Sequence, residues 1–375
     1  MNSLSEIPGG MRYHFGAEAR LQRSIEDGCM AVFDGWSYEE IATPSIDYYA
    51  LFERGMGRQE AQRAFRFTDA DGRLLALRPD VTSSVARAAA TLFAGRARPL
   101  RFCYAASVFR QRSRSHAEWR RESRQAGCEL VGAGGRAADI ETLLIAAEVL
   151  ERLGLRSGTR ITLNNVEVFN GLSEKLALDT GAREEMRRII DTRDDSALQE
   201  FIRHHTTQVA QGGEWGLARL AGQREVIDEA RRLISNPRSR VALDALDELW
   251  GVIEQLELTD LFEIDLGDVS GLDYYTGLVF KVYVAGAGSR VGSGGRYDDL
   301  TVNFGRREPA VGFVLELDAL TEVLMRRAAT MEPAQSHESG APIVEPDGDA
   351  AGLFREARQR RAANSRVRIK QRDEG

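Results

Sequence analysis

The first apolar positions along this chain fall at helical spacing. Leu21, Ile25, Met30, Val32 and Phe33 follow a Pro8-Gly9-Gly10 break and predict an amphipathic helix over residues 17–33. Residues 41–46 carry Pro44 in an extended stretch suited to an edge strand or an interface segment. Residues 65–68 and 74–77 flank Asp69-Ala70-Asp71-Gly72 and predict strand, turn, strand. The Ala-rich residues 81–93 predict a helix after Arg78-Pro79-Asp80. Residues 99–109 read as a strand, 110–124 as a polar, Arg-dense loop and 125–132 as the returning strand. An apolar helix follows over 139–153, then a strand over 160–163.

Between 166 and 256 strand signals nearly vanish. Leu172, Leu176, Met186, Ile189 and Ile190 begin a series of helical patterns that runs to Leu249 and Ile253. Strand patterns return at 262–265, 278–284 and 312–315, and a helix is expected over 318–325. Beyond 328 the chain is rich in Ala, Glu, Pro and Gly, then dense in Arg. The expectation is an α+β fold, a mainly antiparallel sheet flanked by helices, with a helical insertion. Its segments are a core in two parts (1–165 and 257–328), the insertion (166–256) and a poorly ordered tail (329–375). No tandem repeat is evident.

Composition narrows the class. Hydrophobic residues make up 43% and charged residues 29%, as in soluble globular proteins. No stretch approaches the roughly 20 apolar residues of a membrane span, and the N-terminus lacks a basic region followed by an apolar run. The three cysteines, Cys29, Cys103 and Cys128, form no Cys-x-x-Cys pair, so reduced thiols in a cytoplasmic protein are expected and structural zinc is not. A net charge of −7 argues against broad nucleic-acid binding, although a local basic groove remains compatible with it.

Three constellations carry candidate chemistry. In the first, Pro79 biases Arg78 toward extended geometry and sets Asp80 and Thr82 at a strand-to-helix corner, where either is also an ordinary helix cap. The second joins Arg110, whose fork suits a carboxylate or phosphate, to Gln125 and Glu129 on the returning strand; Glu129 there suits an ammonium. The third is Ser270-Gly271-Leu272-Asp273-Tyr274-Tyr275-Thr276-Gly277 with Gly294-Gly295-Arg296-Tyr297-Asp298. Its tyrosines suit a pocket wall or an aromatic rim. Gly292-Ser293-Gly294-Gly295 reads as a tight strand connection in preference to a phosphate loop.

Together these segments resemble the core of class II aminoacyl-tRNA synthetases of the histidyl type, over roughly residues 8 to 326. Leu77 to Thr82 is similar to that family's Leu-Arg-Pro-Glu-x-Thr, and Phe109-Arg110 to the start of its motif 2. Gln125-x-Gly127-x-Glu129 resembles the substrate-binding return strand, and Ala310-Val311-Gly312-Phe313 the start of motif 3. Gly271 to Gly277 and Gly294 to Asp298 resemble the two histidine-specific segments. By this resemblance a histidine pocket comprises Asp80, Thr82, Arg110, Gln125, Glu129, Tyr274, Tyr275 and Tyr297. Asp80 and Glu129 would face the amino group, Arg110 the carboxylate and the tyrosines the imidazole.

Departures from the pattern point away from a synthetase. The motif 2 glutamate is Arg112, the motif 3 arginine falls near Ala319, and the arginine before the Gly-Leu-Asp-Tyr-Tyr run is Ser270. Adenylyl transfer relies on such cations at developing charge. The stretch 329–375 is also too short for the family's anticodon-binding domain. This combination resembles the regulatory-subunit branch associated with ATP phosphoribosyltransferase, the first enzyme of histidine biosynthesis. The branch implies a protein with no catalytic residues, no cofactor and no metal of its own. It also implies a short catalytic subunit as partner in a hetero-oligomer, an octamer in that branch. Further implications are a homodimer through the region around Pro44, and L-histidine as ligand in feedback. Neither a phosphoribosyl-pyrophosphate loop nor a Gly-x-x-x-x-Gly-Lys sequence is evident. A divergent histidyl-tRNA synthetase and a tRNA- or histidine-sensing module are the rival readings; the Arg-dense stretch from Arg355 to Arg372 is the only support for tRNA.

Overall fold

The computed structural model describes residues 6–111, 120–175, 177–205, 214–269, 275–331, 342–344, 350–363 and 367–370. Met1–Val323 forms one compact unit and Leu324–Gly375 a second. The first unit opens with helix α1 (Gly16–Gly35), strands β1 (Glu39–Glu40) and β2 (Ile46–Tyr48), and helices α2 (Tyr49–Met56) and α3 (Arg58–Ala61). Strands β3 (Arg66–Thr68) and β4 (Leu74–Leu77) lead to α4 (Thr82–Ala90), then β5 (Leu100–Phe109), β6 (Glu122–Val131), α5 (Arg136–Arg152) and β7 (Thr159–Asn165). Helices α6 (Val166–Lys175), α7 (Thr180–Asp191) and α8 (Asp195–His205) come next. They are followed by β8 (Ala221–Gly222), α9 (Glu225–Leu233) and α10 (Pro237–Gln255). Strands β9 (Phe262–Asp265), β10 (Leu278–Val284), β11 (Gly292–Arg296) and β12 (Ala310–Glu316) complete the sheet before α11 (Leu317–Met331), within which the boundary between the units falls.

Among the described residues nine strands form one sheet in the order β1-β5-β6-β12-β11-β10-β7-β9-β8, antiparallel except where β1 meets β5 and β7 meets β9. The fold is α+β, as the residue pattern predicts. Period-2 alternation sends Phe102, Tyr104, Ala106 and Val108 of β5 into a core with Val81, Val85 and Ala89 around α4. Cys103 looks the other way, toward the carbonyl of Tyr38 that follows α1. On that side Phe33 of α1 meets Phe313 of β12 edge-on, ring centres 5.9 Å apart. The small sheet β2-β4-β3 packs Ala76 against Phe52 and Met56 of α2.

Helices dominate residues 166–256, around a core of Phe169, Met186, Ile189, Ile190, Leu198 and Phe201. Four of those described begin on side-chain caps: Asp179 accepts from the Ala182 amide for α7, Asn236, followed by Pro237, accepts from Ser239 for α10, and Asn165 and Asp194 accept from Glu167 and Ala197 for α6 and α8. This stretch also supplies β8, which pairs with β9 at the edge of the large sheet. Within 329–375, expected to be a poorly ordered tail, the described residues hold β13 (Pro342–Val344), α12 (Ala350–Ala362) and β14 (Arg368–Lys370). β13 and β14 pair in parallel.

One expectation is corrected. Gly292-Ser293-Gly294-Gly295 is neither a tight connection nor a phosphate loop; it is β11, paired antiparallel with both β10 and β12. A glycine run reads as a turn because glycine penalises strands. Here the missing side chains make room: a Cβ on Gly295 would lie 2.8 Å from the Tyr275 ring. Next to it Gly312 sits opposite Glu129 in register, and a Cβ there would lie 1.9 Å from Glu129 Oε2. Gly312→Ala is therefore expected to cost about 2 kcal/mol or more through overpacking. Gly251→Ala, in the C-terminal part of α10 with open space around it, is expected to stabilise by about 0.5–1 kcal/mol. Urea denaturation of the two variants beside the parent protein checks both signs.

Candidate functional site

The return strand β6 alternates so that Gln125, Gly127 and Glu129 share one face of the sheet, and a cleft opens above them. Its wall is the corner between β4 and α4. Arg78 pins that corner: its Nε donates to the Ser107 carbonyl at 2.7 Å and its Nη1 to the Thr43 carbonyl at 2.7 Å. Thr82 follows and donates to Glu129 Oε1 at 2.7 Å. Tyr104 donates to the same oxygen at 3.2 Å, while Tyr297 donates to Oε2. Glu129 is 1% exposed, and burial pushes its carboxyl up to about 7 against the pull of these three hydroxyls.

Asp80 is the second buried carboxyl. Its Oδ2 accepts from Ser83 Oγ at 3.0 Å, while its Oδ1 is buried with no hydrogen-bond partner. Burial raises it to about 6, partly countered by Ser83 and by the charge of Arg110. Arg110 donates through Nε to the Pro79 carbonyl at 3.1 Å, and its Nη1 lies 3.8 Å from Glu316. Gln125 donates to Glu316 Oε1 at 2.6 Å. Deeper along the sheet, Lys281 is ion-paired with Asp268, which Thr162 also contacts at 3.1 Å. Chemically, the cleft offers two buried carboxyls to a cation, an arginine near its outer side, and aromatic surface from Tyr275 and Tyr297.

The profile of the family described as histidyl-tRNA synthetase matches residues 10–320. The chain is 35% identical over 363 residues to the ATP phosphoribosyltransferase regulatory subunit of Moorella thermoacetica, covering 96% of this chain and 91% of that protein. It is 37% identical over 327 residues to the protein of the same description from Geobacter sulfurreducens, covering 86% and 73%. The chain belongs to the ATP phosphoribosyltransferase regulatory subunit family. Among solved structures, an ATP phosphoribosyltransferase regulatory subunit/histidyl-tRNA synthetase from Bacillus halodurans superposes with a TM-score of 0.87 at 27% identity, over 100% of this chain and 95% of that one. Histidyl-tRNA synthetase from Nostoc shares the fold, with a TM-score of 0.77 at 21% identity over 100% of this chain and 88% of that one.

Within this regulatory-subunit fold, Asp80, Thr82, Arg110, Gln125, Glu129, Tyr275 and Tyr297 all line the one cleft. Tyr274, Ser270 and Arg112 lie outside the described residues. Ala319 stands in the first turn of α11. At the corner one Asp80 oxygen accepts from the Ser83 hydroxyl, while Thr82 turns its hydroxyl to Glu129. Sequence reasoning passed over Tyr104, Glu316, Lys281 and Asp268. Lys281 did carry a signal, as the lone charge in Leu-Val-Phe-Lys-Val-Tyr-Val. Tyr104 carried a weaker one, in phase with Phe102 and Val108 on the buried face.

Asp80 and Glu129 set a pH dependence, to which Asp139 and Asp268, also raised by burial, add. A folded pKa above the ordinary value means the folded protein loses stability as pH rises through about 6 and 7, with the full contribution present only below the unfolded values near 4. Asp80→Asn removes one of these groups and keeps an acceptor for Ser83. At pH 8 this variant is expected to be more stable than the parent by about 1–3 kcal/mol, a gap that narrows toward pH 5. Thermal melts of both proteins from pH 5 to 8 read this; a gap constant with pH would contradict the assignment.

Proposed function

We propose that this chain is a non-catalytic regulatory subunit of ATP phosphoribosyltransferase, acting in the cytoplasm on the first step of L-histidine biosynthesis. The observation that carries the reading is the similarity to regulatory subunits along almost the whole chain. Phosphoribosyl transfer resides on a short catalytic subunit, which this chain joins in a hetero-oligomer and whose activity requires it. The chain itself pairs as a homodimer.

The cleft is the histidine sensor in this reading. An α-ammonium is satisfied by Asp80 and Glu129, the first of which has an oxygen awaiting a donor. The α-carboxylate faces Arg110, and the imidazole lies against Tyr275 and Tyr297, with Tyr274 as a further member of the wall. A ligand cation between two buried carboxyls lowers their proton affinity, so binding is favoured as pH rises above about 7. Feedback follows only if histidine binds one state of the assembly more tightly than another.

The test is phosphoribosyl transfer from phosphoribosyl pyrophosphate to ATP by the same organism's short catalytic subunit, with and without this chain, across a histidine titration. The expected result is a rate that rises with the chain and falls as histidine is added. In the same assay Asp80→Asn is expected to raise the half-suppressing histidine concentration more than tenfold, the loss of one charged hydrogen bond. A rate and a histidine response unaffected by the chain would overturn the reading.

A further inference from the structure

Three basic residues that line the cleft each stand beside a carboxylate. Arg63 lies 2.6 Å from Glu60, Lys281 is paired with Asp268, and Arg110 stands opposite Glu316. Glu316 ends β12 directly across from Gln125 in register, so the two side chains meet on one face. Its Oε1 accepts from Gln125 Nε2 and its Oε2 from Ser123 Oγ, both at 2.6 Å. Gln125 is 2% exposed, so its amide has little recourse to water. The carboxylate therefore stands where an anionic group of a ligand would have to meet Gln125, Ser123 and Arg110 together.

We propose that Glu316 is a specificity-determining residue that closes the outer half of this cleft to polyphosphates and nucleotides while leaving the Asp80 and Glu129 end open to a compact ammonium-bearing ligand. An arginine is a strong phosphate partner when its fork is available. A carboxylate fixed beside that fork repels a phosphate that approaches it. A polyphosphate would thus have to displace Glu316 from two hydrogen bonds and then lie beside it. An amino acid brings a single carboxylate and a compensating ammonium. The inference rests on the reading of this cleft as the ligand site, and it adds the means by which one ligand class is refused.

The experiment is calorimetric titration of the full chain with inorganic pyrophosphate, without magnesium and at low ionic strength. Parent, Glu316→Ala and Glu316→Gln are compared, with melting curves to establish folding. Glu316→Gln keeps an acceptor for Gln125 and Ser123, so it serves if the alanine variant fails to fold. The variants are expected to bind pyrophosphate at least tenfold more tightly than the parent, and the gain is expected to vanish when Arg110→Ala is added. A folded variant that binds no more tightly overturns the proposal, as does a gain that survives removal of Arg110. L-histidine is titrated in parallel. A parent that binds no histidine, beside a Glu316→Gln variant that gains pyrophosphate, counts against the histidine-sensor reading and for the present inference. Histidine binding with no gain in pyrophosphate affinity does the reverse.

Discussion

Glu129 is a carboxylate in the middle of a nine-stranded sheet, held by three hydroxyls that come from three separate parts of the chain: Thr82 on α4, Tyr104 on β5 and Tyr297 after β11. An ionisable group this deeply buried is costly, and each hydroxyl offsets part of that cost. The constraint propagates outward. Gly312 has to lack a side chain because Glu129 Oε2 occupies its Cβ position. α4 has to begin where Thr82 reaches the strand, and Arg78 fixes that point by binding the Thr43 and Ser107 carbonyls. The cleft is thereby shaped before any ligand arrives, with acceptor capacity in excess at Asp80 Oδ1. Such preorganisation favours a small cationic group over water because little rearrangement accompanies binding.

The same cleft reaches toward the helical stretch. Lys281 on β10 lines it, pairs with Asp268 and lies 3.9 Å from Asp191 at the end of α7. Asp268 in turn receives Thr162 Oγ1 from β7, and Asn164 Nδ2 donates to its carbonyl at 3.0 Å. A buried ion pair contributes little net stability compared with apolar packing, but breaking one side of it is expensive. The contact with Asp191, whose side chain is about half exposed, is the point at which this network touches α7. That is the kind of contiguous polar contact through which a regulatory subunit can bias its own conformation, given two states with different affinity.

Much of this was legible in the residues. Helix α1, the β3–β4 hairpin, β5, β7, β9 and β10 follow from apolar periodicity, and the family resemblance carried by the short segments around Arg78, Arg110, Glu129 and Tyr275 implied a single site. Seven of the eight expected residues do line one cleft. What the pattern hid has physical reasons. β11 is a strand made largely of glycine, where tertiary crowding by Tyr275 and Phe313 overrides a turn-like composition. Glu316 fell between the strand expected over 312–315 and the helix expected over 318–325. Its place opposite Gln125 depends on the β6–β12 register, which no local pattern encodes. The hydroxyls around Glu129 are likewise brought together by topology; Tyr297 is 168 residues from its partner.

The proposed receptor for the ammonium of a small amino acid is the pair of buried carboxyls, Asp80 and Glu129. Calorimetric titration of the isolated chain with L-histidine at pH 7, in two buffers of different ionisation enthalpy, tests it most directly. Insertion of an ammonium between Asp80 and Glu129 should expel a proton that burial had retained, so binding should release about half a proton or more per site. Histidine heats that do not depend on the buffer, or no binding at all, would contradict the account.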